Sequence, residues 1–493
     1  MVVFVVDGLR PDAITRDDTP TLWRLRAEGV EFTDSHAVFP TVTRVNAATI
    51  ATGAQPGTHG IVGNQIYVPA VDRRQALDTG NHRNLLAVDA ATGGGLVRAR
   101  TLAERLDKHG RRYAAVSSGS TGSAFLLNPR APAGVGALVN GYFDPGRAVA
   151  YPAEAGAAIL SRFGAAPAKA GLERFDAPVA WTQRVLREYV LPELRPDVVV
   201  NWLTEPDHSQ HTAGVGSPAA REALRHADGE LARTLATLEA LALMPTTDVF
   251  VVSDHGFTSN AAGLDVAGEL VAARLKAAPD STDVVLASSG QAVALHVEGR
   301  DPERVAALAR FIQAQQWGGV LFTRGRAPGD PRGAAEGTFA LELIHAANAE
   351  RGGDLLLTFP WTSDPNAFGV PGADLACVSG GARLYASDHG SMSPWNVRNT
   401  CLAWGADFKR GVTAPAPAGN VDLAPTILHL LGIADTDGMD GRVLAEALRD
   451  GPDAAKVAVE RHTHTVEAGA YRAALQVSTV DGRRYVDKSW RIV

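Results

Sequence analysis

Residues 247–257 read "TDVFVVSDHGF": four consecutive apolar residues, 249–252, run straight into a polar turn. An uninterrupted apolar run of that length marks a strand buried on both faces. The pattern recurs in "VVFVVDGLRPD" (2–12) and "PDVVVNWLTEPD" (196–207). Helical segments lie between these runs. "TPTLWRLRAEGV" (19–30) is apolar at Leu22, Leu25 and Val30, and "TLAERLDKHG" (101–110) stops at Gly110 before a strand in "RRYAAVSSGS" (111–120). "REALRHADGELARTLATLEAL" (221–241) is a long helix joining two of the strands. Buried strands alternating with helices predict an α/β fold with a mostly parallel sheet covered on both sides.

After Phe257 the pattern changes. "STDVVLASSGQAVALHVEG" (281–299) reads as a hairpin, "DPERVAALARFIQAQ" (301–315) as a helix and "GGVLFTRG" (318–325) as a strand. Together they predict a small inserted α+β lobe over residues 258–384, with 1–257 and 385–440 forming the core. "VDLAPTILHLLGI" (421–433) is a helix returning to that core. The extension 441–493 ends in a hairpin expected to turn at Asp481–Gly482.

Composition excludes several roles. The chain has 493 residues, 45% apolar and 20% charged, with a net charge of −7, so it has no basic field for a nucleic-acid polymer. No apolar run is long enough to span a bilayer. With no visible leader, the expected setting is cytoplasmic, or secreted or periplasmic if a leader has been removed. Cys377 and Cys401 form neither a disulfide framework nor a metal motif. The expected partner is a small molecule, and homo-oligomerisation stays open.

In open α/β sheets ligands gather outside the carboxyl ends of the strands. Asp7 follows the first run, Asp207 and His211 the second, Asp254 and His255 the third. The tetrapeptide "SDHG" at 253–256 recurs at 387–390 after "RLYAS", read as another strand, and adds Asp388 and His389. Asp207 and His211 share a face if their turn is helical. Such a set of carboxylates and imidazoles can hold two divalent cations, zinc first and manganese second. Among the 14 histidines, His109, His226 and His429 sit in helical patterns and His462 and His464 in a solvated tail. None of these five is expected to be a ligand.

"FPTVTRVNAATIATGAQPGTHGIVGN" (39–64) places a Thr-rich turn before a helix expected to begin near Asn46. A hydroxyl there faces free N–H groups and the positive end of the helix dipole, and beside a metal it becomes a nucleophile. Equally, Thr41 and Thr43 could simply cap the helix.

Taken in order, "VVDGLRPD", "FPTVTRVNAATIATG", "GTHGIVGN", "LTEPDHSQH", "SDHGF", "DHGS" and "VDLAPTILHLLGI" resemble the alkaline phosphatase superfamily, in its type I phosphodiesterase/nucleotide pyrophosphatase branch. The resemblance implies an alkaline-phosphatase-like three-layer α/β/α sandwich and a two-zinc site. Asp7, Thr43, Asp254 and His255 match the positions around one metal, and Asp207, His211 and His389 those around the other. Thr43 matches the nucleophile, so a phosphoryl-threonine intermediate is implied. Asn64 matches the residue holding a phosphoryl oxygen, Asp388 reads as a residue orienting an imidazole, and Trp202 falls where a substrate-stacking aromatic is often found, with core packing as its alternative in the buried run "VVVNWL".

One departure concerns the residues after the nucleophile. Many relatives carry aromatic–Pro–Asn–His there, and this chain has "RVNA", with Arg44 next to Thr43. A guanidinium at that point would meet extra phosphate charge. The expected activity is hydrolysis of phosphodiester or pyrophosphate bonds. A phosphomonoesterase or phosphonate hydrolase is the alternative within the superfamily, and a non-catalytic metal-binding protein the alternative outside it. A sulfatase is excluded, since "TVTRV" is not its modified-residue context.

Overall fold

The computed structural model describes residues 1–141, 150–169, 171 and 173–492. Parts of the expected core (142–149, 170 and 172) and Val493 of the expected extension lie outside the described residues.

The largest sheet has nine strands: β1 (Val2–Val6), β2 (Val30–Phe32), β3 (Tyr113–Ser117), β4 (Ala137–Asn140), β5 (Ala150–Tyr151), β6 (Val198–Leu203), β7 (Val249–Val252), β8 (Cys401–Trp404) and β9 (Val412–Ala414). Their spatial order is β9-β2-β8-β7-β1-β6-β3-β4-β5. The central run β7-β1-β6-β3-β4 is parallel throughout. Antiparallel pairings of β8 on β7 and of β5 on β4 end that run.

Successive side chains point to opposite faces of a strand, and the core divides accordingly. Val3 and Val5 of β1, Val198, Val200 and Trp202 of β6, and Phe250 and Val252 of β7 share one cluster. Val2, Phe4 and Val6, Val199 and Leu203, and Val249 and Val251 share the other. Against the second face pack α1 (Pro20–Glu28) and the long helix α4 (Pro218–Ala240). Against the first pack α2 (Thr43–Thr52) and α5 (Leu423–Leu430). A short helix, α3 (Asp207–Ala213), follows β6. The result is the expected three-layer α/β/α sandwich.

Two local expectations are corrected. Helix α2 begins at Thr43, three residues before Asn46, because Val42 takes the extended N-cap conformation (φ −132°, ψ 153°). The strand expected over "RLYAS" shrinks to Ser387–Asp388, which pairs antiparallel with Thr258–Leu264 in a separate four-stranded sheet. Only the first SDHG copy therefore ends a strand of the main sheet.

The hairpin expected within 281–299 forms between Val284–Ser288 and Ala292–Val297, with Val284 opposite Val297, in a five-stranded sheet. The tail forms a three-stranded sheet, Glu460–Ala468, Tyr471–Val480 and Arg483–Arg491. Its second turn is Asp481–Gly482, both at positive φ (49° and 74°), as a two-residue hairpin turn requires. These two sheets share one apolar core, with Phe322, Phe339 and Ala292 packed among Tyr471, Leu475 and Val477. Leu475→Ala should therefore lower stability by about 2–5 kcal/mol, read as a fall in the urea midpoint. An unchanged midpoint would contradict a shared core.

Candidate metal and phosphoryl site

The first residues past the central strands are tied to one another by the backbone. The Asp7 N–H donates to Leu203 O at 3.0 Å, and the Asp207 N–H to Asp7 O at 3.1 Å. Gly8 turns the chain at φ +70°, and its N–H donates to Asp254 Oδ1 at 3.1 Å. A Cβ on Gly8 would lie 2.8 Å from Gln210 Nε2 and 2.9 Å from the Phe257 ring, so the close turn requires glycine. Asn420 Nδ2 donates to Asp254 O at 3.0 Å, which fixes the first SDHG turn from the side of α5.

Two groups of three ligand-type residues result: Asp7, Asp254 and His255, and Asp207, His211 and His389. The candidate atoms within each group all lie within 4.8 Å of one another. In the first, His255 Nε2 is 3.0 Å from Asp254 Oδ2 and 3.6 Å from Asp7 Oδ1. In the second, Asp207 Oδ1 is 3.3 Å from His211 Nε2 and 3.5 Å from His389 Nε2. The groups adjoin, with the His255 and His389 rings stacked at 3.6 Å.

Hydrogen bonding fixes the imidazole tautomers. The Nδ1 atoms of His211, His255 and His389 each sit 3.0 Å from a backbone carbonyl, those of Ser387, Gly256 and Thr41 respectively. A carbonyl can only accept, so each Nδ1 carries a proton and each Nε2 is left to take a cation or, without one, a second proton. His211 Nε2 and His389 Nε2 face one another at 3.2 Å. Asp7 Oδ1, Asp207 Oδ1 and Asp254 Oδ2 are buried without a hydrogen-bond partner. Converging lone pairs and orphaned carboxylate oxygens are stable together only around positive charge, so the residues fit two divalent cations.

The charges crowd one another. Burial, then the charges of Asp207 and Asp254, pushes the Asp7 carboxyl well above its usual range. Burial, with His255 and His211 adding to it, pushes His389 well below. Burial opposes charge on His211, yet Asp207 beside it raises its pKa to about 9.

Thr43 is the first residue of α2, and its Oγ1 lies 3.4 Å from His255 Nε2. It caps nothing: the N-cap position is Val42, with no side-chain cap bond. Thr41 does not cap either. Its hydroxyl donates to Ser391 O at 2.8 Å and accepts the Gly390 N–H at 3.1 Å, buttressing the second SDHG turn. Asn64 Oδ1 accepts the Arg44 N–H at 3.2 Å, and its Nδ2 donates to no acceptor among the described residues. The Arg44 guanidinium runs over Gly80, where a Cβ would collide with it. Its Nη2 is 3.9 Å from Asp78 Oδ1, and its Nε has no hydrogen-bond partner.

Of the two readings of Trp202, the structure selects core packing. It is 0% exposed, and its indole N–H donates to Asp7 Oδ2 at 2.8 Å. Its parity in β6 is that of Val198 and Val200, so the ring enters the core and offers no face to a base. It orients a carboxylate instead. Asp388 Oδ1 accepts the His389 N–H at 2.8 Å and lies 3.8 Å from His211 Nδ1.

Two neighbours of the site were not singled out from the sequence. Lys169 Nζ is buried against Ser118 O and Gly119 O past the end of β3, and burial lowers its pKa to about 7. Tyr385 lies 4.9 Å, ring to ring, from His211. Tyr385 had a signal, an aromatic two residues before the second SDHG. Lys169 had none.

The solved structure of an inactive variant of murine ectonucleotide pyrophosphatase/phosphodiesterase 5, in complex with AMP, is similar to this chain. The TM-score is 0.59 at 18% identity, over 88% of this chain and 95% of that one, a likeness of the alkaline-phosphatase-like fold. Venom phosphodiesterase 2 of Crotalus adamanteus is 26% identical over 263 residues, 52% of this chain and 26% of its own length. The bis(5′-adenosyl)-triphosphatase of Xenopus laevis is 37% identical over 67 residues, 14% of this chain and 15% of its own. The match thus spans about a quarter or less of these curated relatives. The family model for type I phosphodiesterase/nucleotide pyrophosphatase matches residues 1–320, well over half of the sequence, and the chain belongs to that family.

Proposed function

We propose that this protein is a metal-dependent hydrolase of phosphodiester or pyrophosphate bonds that works through a phosphoryl-threonine formed on Thr43. The observation that carries the reading is the Thr43 hydroxyl, 3.4 Å from His255 Nε2, beside six converging ligand-type residues, three of which bury a carboxylate oxygen without a hydrogen-bond partner. A non-catalytic metal-binding protein would have no use for a buried hydroxyl at that point.

Asp7, Asp254 and His255 would hold one divalent cation, and Asp207, His211 and His389 a second; the donor set suits zinc. Bound there, the cations would supply positive charge for the phosphoryl oxygens and ease ionisation of the hydroxyl. The chain's own residues do the rest. Thr43 Oγ1 forms a bond to phosphorus as the bond to the leaving oxygen breaks, and the hydroxyl proton passes to solvent. Water then cleaves the Oγ1–phosphorus bond and returns a proton to Thr43. Two in-line steps leave net retention at phosphorus. The N-terminal end of α2 faces the transferred group with its positive dipole, and Asn64 Nδ2 is free to donate to a phosphoryl oxygen. Trp202 holds Asp7 in place from below.

The substrate is a small phosphate ester, and the AMP bound by the murine relative makes a nucleotide the leading class. Arg44 favours one carrying a second negative charge, a nucleoside pyrophosphate or a monoester, because among the described residues its guanidinium has only a distant carboxylate partner. No helix among the described residues is long and apolar enough to cross a membrane. The venom enzymes among the relatives support the secreted or periplasmic setting over the cytoplasmic one.

The test is direct. Zinc-loaded wild type should hold two metal ions per chain by elemental analysis and lose activity on exhaustive chelation. Thr43→Ala should lose nearly all turnover while keeping its metal, and Asn64→Ala should lose about 10²–10³ in rate. Wild-type turnover in Thr43→Ala would overturn the proposed nucleophile, and well under two metals after loading would overturn the site. Arg44→Ala should lower kcat/KM on a nucleoside pyrophosphate by about tenfold and leave a simple diester nearly unchanged. Equal losses on both would remove Arg44 from substrate recognition.

A further inference from the structure

With Trp202 in the core, the exposed aromatic surface at the site lies elsewhere. Tyr385 is 37% exposed and tilted against His211 at 4.9 Å. Phe368 is also exposed, at 48%, and Leu384, at 46%, lies against Gly263. A Cβ on Gly214, just past α3, would lie 3.5 Å from the Phe368 ring and 3.9 Å from Ala386, so Phe368 sits beside the same stretch of chain.

The backbone carrying Tyr385 is held from both sides. The Ala386 N–H donates to His211 O at 2.9 Å, and the Asn260 N–H to Ala386 O at 3.1 Å. Asn260 Nδ2 donates to Tyr385 O at 3.0 Å, and the Val215 N–H to Ser387 Oγ at 2.9 Å. An aromatic ring on a fixed backbone loses little freedom when a ligand packs on it. The only cation near the ring among the described residues is Arg383, its guanidinium 5.3 Å from the ring centre.

Position decides what such a ring would meet. Thr43 Oγ1 lies against His255, on the side of Asp7 and Asp254. In an in-line displacement the leaving oxygen departs opposite the attacking one, here toward Asp207, His211 and His389. Tyr385 stands on that side. We infer that Tyr385 forms the wall against which a planar aromatic leaving group packs, making it a specificity-determining residue for the leaving half of the substrate. This rests on the proposed hydrolase reading and adds the leaving-group class to it. The proton and bond accounting is that of the first step above, with an aryl oxide departing as the anion.

The test uses two diesters that transfer the same methyl phosphoryl group, methyl p-nitrophenyl phosphate and methyl trifluoroethyl phosphate, on the zinc-loaded full chain. Tyr385→Leu keeps an apolar cover over His211 and removes the ring, whereas Tyr385→Phe keeps the ring. Tyr385→Leu should lower kcat/KM on the aryl ester by about 5- to 50-fold and leave the fluoroalkyl ester within about twofold, with bound zinc unchanged by elemental analysis. Tyr385→Phe should match wild type on both. Equal losses on the two esters, a loss of zinc, or no loss on the aryl ester would overturn the inference and make Tyr385 a cover for His211. If wild type shows no Thr43-dependent turnover of either ester, the hydrolase reading itself falls, and the inference with it.

Discussion

Three imidazoles whose protons are all pinned outward govern this structure. His211, His255 and His389 each give the Nδ1 proton to a backbone carbonyl, so three Nε2 atoms turn inward toward the carboxylates of Asp7, Asp207 and Asp254. The cost of burying so much unpaired negative character is tolerable only if positive charge completes it. The remaining architecture can be understood as the means of holding these groups still.

The parallel strands contribute most of that rigidity. β1, β6 and β7 end side by side, and hydrogen bonds across their ends, two between backbones and one from the Gly8 N–H to the Asp254 carboxylate, lock Asp7, Asp207 and Asp254 together. Second contacts hold each group again: Trp202 on Asp7, Asn420 on the Asp254 carbonyl, Thr41 on the turn that carries His389. Gly390, at φ +119°, lets that turn pass where a Cβ would strike Ser289 O. The four-stranded sheet brings the second SDHG copy to the first through the pairing of Thr258 with Asp388. The repeated tetrapeptide thus serves two different backbones that arrive at one place.

Much of this was legible in the sequence, for identifiable reasons. Continuous apolar runs announced the central strands, and Asp481–Gly482 announced its hairpin, because both signals are local. The convergence of Asp7, Asp207, Asp254 and their histidines followed from the rule that parallel strands end at one rim. What failed was non-local. "RLYAS" has a strand-like composition, but its partners, Asn260 and the end of α3, are far away in sequence and leave only two paired residues. Thr41 and Thr43 offered two readings because a hydroxyl before a helix caps it or does not depending on rotamer and backbone. Trp202 offered two readings as well, a stacking face or core packing, and its parity with Val198 and Val200 favours the core.

The account stands or falls on whether the two triads are ion sites. Crystals grown with zinc, measured at the zinc absorption edge, answer this directly. Two anomalous peaks should appear, one among Asp7, Asp254 and His255 and one among Asp207, His211 and His389. A single peak, or zinc bound only at exposed residues such as His462 with both triads empty, would contradict it.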